Sequence, residues 1–195
     1  MRQSSRCGRW AAALTALFVC ASHAQPPVEI GDRLKTCAVC HGEGGNSSTP
    51  GVPSLAGQPR TFTENQLILF REGVRPQEPM SSLMRGISDR EIVAMAAHFA
   101  AAKPATPAGA RDKALFERGR ALAQKLRCGN CHETDYRGRQ QMPRLAAQRE
   151  DYLYQVMVAY RENKRPGSDT MMSGVLYRIA DADIRAMAHF LAQSR

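Results

Sequence analysis

Two short stretches of the chain place thiols and an imidazole at a spacing that can hold a metal-bearing ring. Cys37-Ala38-Val39-Cys40-His41 and Cys128-Gly129-Asn130-Cys131-His132 both read C-x-x-C-H. On one helical turn, thiols three positions apart can meet the two vinyl groups of a porphyrin and form thioethers. The adjacent histidine then offers a nitrogen to the iron. A lone copy would also suit a redox dithiol or half a zinc site. A zinc site built from both would need the two pairs to converge on one metal, with both histidines surplus. Two complete copies favour two covalently bound haem c groups, with Cys37, Cys40, Cys128 and Cys131 as attachment points and His41 and His132 as iron ligands.

The chain is an internal duplication with a shift of 90 to 92 residues. Pro53-Ser54-Leu55-Ala56-Gly57-Gln58 recurs as Pro143-Arg144-Leu145-Ala146-Ala147-Gln148, and Phe70 to Pro76 recurs as Tyr160 to Pro166. Met80 through Ile92 aligns without a gap on Met172 through Ile184. A sixth iron ligand must lie well downstream of the histidine, so that the chain can wrap to the other face of the ring. Met80 and Met172 stand 43 and 44 residues after Cys37 and Cys128, ahead of the last helix of each copy. A thioether is soft and uncharged, which favours ferrous iron. Met84 aligns with Leu176 and Met171 with Pro79, so neither recurs. Met95 and Met187 recur on a buried helix face, where methionine is usual core filler. His98 and His189 fall out of repeat register and read as ordinary helix-end residues. Met80 and Met172 are the expected ligands.

The elements that must position these groups are helical, and the expected fold class is all-α. Leu115, Phe116, Gly119, Leu122 and Leu126 recur at helical spacing ahead of the second motif. Further helices are predicted from about Thr63 to Arg71 and from about Asp151 to Arg161. Ser88-Asp89-Arg90-Glu91 is a capping box opening the last helix of the first copy. Ala180 replaces the serine in the second copy, so the cap is expected to pass to Asp181. Residues 1–24 read as a signal peptide: Arg2, Arg6 and Arg9 precede the apolar run Trp10–Cys20, and Ser22-His23-Ala24 is a small-x-small cleavage site. The apolar run is about eleven residues, against roughly 20 to span a bilayer. A lipoprotein reading through Cys20 is disfavoured by Val19 before it. The expected domains are 25–100 and 111–195, joined by an Ala- and Pro-rich linker at 101–110. Composition agrees: 43% apolar and 23% charged residues suit a globular chain, and 6% aromatic residues argue against a stacking platform for nucleic acid.

The two C-x-x-C-H motifs, the P-x-L-A-x-Q segments, the R-E-x-x-x-R-P stretch and the Met80- and Met172-led loops resemble the di-haem cytochromes c4. The resemblance covers residues 28–195. It implies two tandem class I cytochrome c domains about a pseudo-two-fold axis, carrying electrons in the periplasm, commonly to a cytochrome oxidase of the cbb3 type. It also implies that the Pro53 and Pro143 carbonyls accept hydrogen bonds from the His41 and His132 rings.

Iron held by His and Met has no open position for a substrate, so single-electron transfer is expected rather than catalysis. Two alternatives stay open: an electron-accepting di-haem subunit of a flavocytochrome-like dehydrogenase, and a di-haem enzyme such as a peroxidase or thiosulfate dehydrogenase. Residues 25–100 sum to −1, whereas residues 101–195 carry 17 basic and 10 acidic residues, net +7. Redox partners are therefore expected to dock at the basic C-terminal domain through acidic surfaces. Peripheral membrane association is compatible with this charge.

Overall fold

The computed structural model describes residues 28–106, 109–167 and 170–195. The expected signal peptide lies outside them. The first copy is built from α1 (Gly31–His41), α2 (Arg60–Arg71), α3 (Met80–Met84) and α4 (Asp89–Ala101). The second contains α5 (Lys113–Lys125), α6 (Gly129–His132), α7 (Glu150–Arg161), α8 (Met171–Leu176) and α9 (Asp181–Gln193). Among the described residues there is no strand, only one bridge between Arg139 and Met142. The fold is all-α.

Each copy buries its own apolar cluster. In the first, Phe70 of α2 packs with Met84, Ile87, Ile92 and Met95, and Cys37 and Met80 lie against the edge. In the second, Leu153, Met157, Leu176, Ile184 and Met187 form the centre, with Cys128 and Met172 at its margin. The periodic faces of α4 and α9 account for this, because Ile92, Met95, Ile184 and Met187 are all 1% exposed or less. Met95 and Met187 are thus interior packing, as their helix face implied.

Helix α5 can lie tightly against α9 because of Gly119. A Cβ there would sit 2.0 Å from the Ala186 carbonyl oxygen and 2.7 Å from Phe190 Cβ. The helix stops before the second motif. Arg127 turns left-handed at φ 55°, and α6 carries Cys131 and His132 as a separate turn. In the first copy α1 runs unbroken through Cys37, Cys40 and His41.

The helix caps separate the copies. Ser88 accepts from the Glu91 N–H while Glu91 reaches back to the Ser88 N–H at 2.9 Å, completing the capping box. At α9 the N-cap is Ala180, with no side-chain cap. Asp181 does not take over the role expected of it: its carboxylate is bound by Arg161 at 2.5 Å. Ala180 has nearly the backbone angles of Ser88 (φ −67°, ψ 151° against −73°, 157°), so it would accept a serine without strain. Ala180→Ser is therefore expected to stabilise the second copy by about 0.5–1 kcal/mol, and Ser88→Ala to cost the first about 1 kcal/mol. Denaturant melts of the two variants check both signs.

The copies meet along the segments that follow the motifs. Gln58 donates to the Arg144 carbonyl at 2.9 Å and accepts from the Arg144 N–H at 3.0 Å. Gln148 does the same at Ser54, donating at 2.9 Å and accepting at 2.8 Å. Asp151 accepts from the Gly51 N–H at 2.8 Å, and Arg149 donates to the Ser47 carbonyl at 3.3 Å. Beyond α4, Asn46 holds the backbone of Lys103 and Ala105, which straps the chain leaving the first copy onto its own loop.

Candidate functional site

Both motif histidines end helical turns and both are buried, His41 at 7% and His132 at 5% exposure. Their Nδ1–H groups donate to the Pro53 carbonyl at 2.8 Å and the Pro143 carbonyl at 2.9 Å. A carbonyl only accepts, so Nδ1 carries the proton and Nε2 keeps its lone pair. Burial holds both imidazoles below the usual histidine pKa, opposed by the bond to the proline carbonyl. The result is a neutral ring, fixed in orientation, with its metal-binding nitrogen unprotonated.

The residue after each histidine turns the chain away: Gly42 at φ 77°, ψ 161° and Glu133 at φ 68°, ψ 157°. Glycine is at ease there, whereas glutamate carries about 1–3 kcal/mol of backbone strain.

Cys37, Cys40 and Cys128 are half-buried, Cys131 is exposed, and no disulfide joins any of the four. Burial pushes the Cys37 and Cys128 thiols above their usual pKa. Among the described residues, no group of three or more His, Cys, Asp and Glu side chains comes together in a way that could hold a metal ion. The converging zinc site is therefore absent from the described geometry.

The methionines sort by position. Met80 is the first residue of α3 and Met172 the second of α8, so the expected loop is a short helix in each copy. Both are half-buried, each against the cluster that also receives the first cysteine of its motif. Met84 is interior at 4% exposure, and Met171 is 66% exposed. His98 lies exposed against Phe99. His189 differs from its expected role as an ordinary helix-end residue. It is 5% exposed, donating from Nδ1 to Glu150 at 2.9 Å and accepting the Asp112 N–H on Nε2 at 3.0 Å. With both nitrogens engaged, it ties α5, α7 and α9 together.

Sequence reasoning also missed Arg75, a residue of the R-E-x-x-x-R-P stretch. Its guanidinium is buried, 4.4 Å over the Phe70 ring, and bonded to the neutral amides of Gln66 at 2.6 Å and Gln77 at 3.2 Å. Burial, then the like charge of Arg165, pushes its pKa down. A further bond goes to the Tyr152 side chain, and none of these partners is a carboxylate. A buried cation short of a counter-charge suits a cofactor that brings carboxylates of its own, as a haem does with its propionates. The only signal in the sequence was that Arg75 recurs as Arg165. Beside the second motif, Thr61, Asn130, Cys131, Arg139 and Met142 border a groove of about 540 Å³.

The helical fold and the paired donor sets define a di-haem c-type cytochrome. A family model described as cytochrome c matches residues 116–195, and one described as cytochrome C oxidase, cbb3-type, subunit III matches residues 33–99. The chain is 33% identical to cytochrome c4 of Thiocapsa roseopersicina, over 80% of this chain and 85% of that one. It is 31% identical to the thiosulfate dehydrogenase electron acceptor of Thiomonas intermedia (strain K12), over 93% and 88%. The crystal structure of reduced recombinant cytochrome c4 from Pseudomonas stutzeri superposes with a TM-score of 0.77 at 27% identity, covering 84% of this chain and 96% of that one. The chain belongs to the cytochrome c4 family. It has two tandem cytochrome c domains, binds two haem c groups covalently, and transfers electrons to and from redox partners. Its relatives named cytochrome c4 place it among electron carriers.

Proposed function

We propose that the protein is a periplasmic carrier that takes single electrons from a donor and passes them towards a terminal oxidase, docking through its C-terminal domain. Residues 25–100 form the first domain, 101–110 the linker and 111–195 the second domain, after removal of residues 1–24. When bound, each haem supplies an iron that stores one electron by cycling between ferric and ferrous states. Cys37 and Cys40 hold the first haem, and Cys128 and Cys131 the second. His41 and Met80 would supply the nitrogen and thioether donors to one iron, and His132 and Met172 those to the other.

The observation that carries this reading is the repeated pairing of motif cysteine and repeat-equivalent methionine on one apolar cluster in each copy. The Pro53 and Pro143 carbonyls keep the histidine rings from turning. The closed donor set leaves no position for a substrate, so the protein alone should neither oxidise thiosulfate nor turn over peroxide. Among the described residues, no helix is long and apolar enough to cross a membrane.

Docking rests on charge, and the structure narrows which charges remain available. Arg118, Arg120 and Arg149 pair with Asp183, Glu117 and Asp151. Lys125 and Arg127 are exposed, and Arg137 and Arg139, although paired with Asp135 and Glu133, keep 68% and 69% of their side chains exposed. Changing Lys125, Arg127 and Arg139 to Glu should slow reduction of an oxidase at least tenfold at low salt and flatten the salt dependence. The same change at Lys35, Arg60 and Arg85 should matter little. Stopped-flow rates across an ionic-strength series decide between them, and equal effects of the two triples would sink the docking site.

The Thiomonas relative favours a second reading, in which the donor is a thiosulfate dehydrogenase. In that case thiosulfate reduces the protein only when the dehydrogenase is added.

A further inference from the structure

We propose that Gln58 and Gln148 are positioning residues that cross between the halves, each tuning the redox potential of the haem held by the other half. The inference rests on the reading of His41 and His132 as iron ligands.

The peptide group between Pro53 and Ser54 is engaged at both ends. Its carbonyl accepts the His41 Nδ1–H at 2.8 Å, and its N–H donates to Gln148 Oε1 at 2.8 Å. The peptide between Pro143 and Arg144 repeats the arrangement. Its carbonyl accepts from His132 at 2.9 Å, and its N–H donates to Gln58 Oε1 at 3.0 Å. Each glutamine closes the ring by donating from Nε2 to the next carbonyl, of Ser54 or Arg144, at 2.9 Å. Gln58 and Gln148 are 5% and 6% exposed, so water competes little for these bonds.

Hydrogen bonds in such a chain polarise one another, strengthening each by roughly 10–30%. An N–H given to an amide oxygen leaves more negative charge on the carbonyl of the same peptide. That carbonyl pulls harder on the Nδ1 proton, which makes the imidazole a stronger donor to iron. A more basic imidazole favours ferric over ferrous iron and so lowers the potential. The path runs from Gln148 in the second half to His41 in the first, and from Gln58 in the first half to His132 in the second. A joint that only holds the halves together would not distinguish the two haems.

The test uses the full-length di-haem protein carrying Gln148→Met or Gln58→Met, isosteric changes that remove the amide. Each haem's midpoint is assigned by nuclear Overhauser contacts from its methyl groups to Cys37 and Cys40 or to Cys128 and Cys131. Gln148→Met should shift the ferric-to-ferrous ratio of the first haem about threefold towards ferrous at fixed ambient potential, about 30 mV upward, and leave the second in place. Gln58→Met should do the reverse. Gln148→Glu keeps an acceptor for the Ser54 N–H, so the first haem should stay at or below its original potential. A shift in the haem of the same half, equal shifts in both, or none would overturn the relay. The ligand reading is checked separately. His41→Ala should cost the first haem its low-spin spectrum, and an unchanged spectrum would remove the premise instead.

Discussion

Replacing Met80 or Met172 by alanine is expected to convert one haem from six-coordinate low-spin to five-coordinate high-spin, and that haem alone should bind carbon monoxide. Covalent haem content should not change, because neither residue belongs to a C-x-x-C-H motif. The expectation comes from the surroundings of each methionine. In the first half Met84 and Met95 are 4% and 1% exposed, and neither could reach an iron without emptying a packed core. Pro79 precedes Met80, so no neighbour offers a second thioether. In the second half Met187 is equally buried, while Met171 is 66% exposed beside Met172. His189 is held by Glu150 and the Asp112 N–H. Optical and electron paramagnetic resonance spectra of the single and double variants, with carbon monoxide titration, check the assignment. A double variant with both irons still low-spin and closed to carbon monoxide would show that other residues complete the coordination.

Gly119→Val is expected to cost the second half about 3 kcal/mol or more and to lower its melting temperature by about 12 °C or more. The added Cβ would sit 2.0 Å from the Ala186 carbonyl oxygen and 2.6 Å from its carbon. Both are backbone atoms of α9 and cannot swing aside as a side-chain tip would. Moving α9 away would also unseat Phe190, which meets the Phe116 and Tyr136 rings edge-on at 5.1 and 5.4 Å. The first half uses no atom of this contact and should melt where it did. Calorimetry of the haem-loaded variant reads both transitions, and a change below about 2 °C in the second would refute the close approach.

Local signals were legible in the sequence. Helical periodicity located α2, α5 and α7 to within a few residues at either end, and the Ser88-to-Glu91 box marked the start of α4. The proline carbonyls, implied by family resemblance, do accept from the motif histidines. What escaped depends on contacts between distant segments. Arg75 was visible only as part of a repeat, because nothing near it in sequence says that it will be buried against Phe70 and Gln66 of α2. Asp181 was expected to cap α9, but Arg161, brought close by the packing of α7, claims its carboxylate. His189 fell outside the repeat register, so comparing the halves left it unassigned although it joins three helices. The final glutamine of P-x-L-A-x-Q was visible as a repeat, but its partner lies across the joint, and a repeat alone does not say which half a side chain faces.

That joint has a further consequence. Gln58 meets Arg144 as Gln148 meets Ser54, so each half presents the same patch to the other, the self-complementary pattern of a two-fold homodimer. In a true homodimer every substitution is made twice, and an altered charge on one subunit must appear on its twin. Here the two patches belong to one chain, and the peptide connection holds them at high effective concentration whatever becomes of either surface. The halves are free to diverge. One has become slightly acidic and the other strongly basic while the shared contact is kept, giving a pseudo-symmetric particle with two unlike poles and hence a direction.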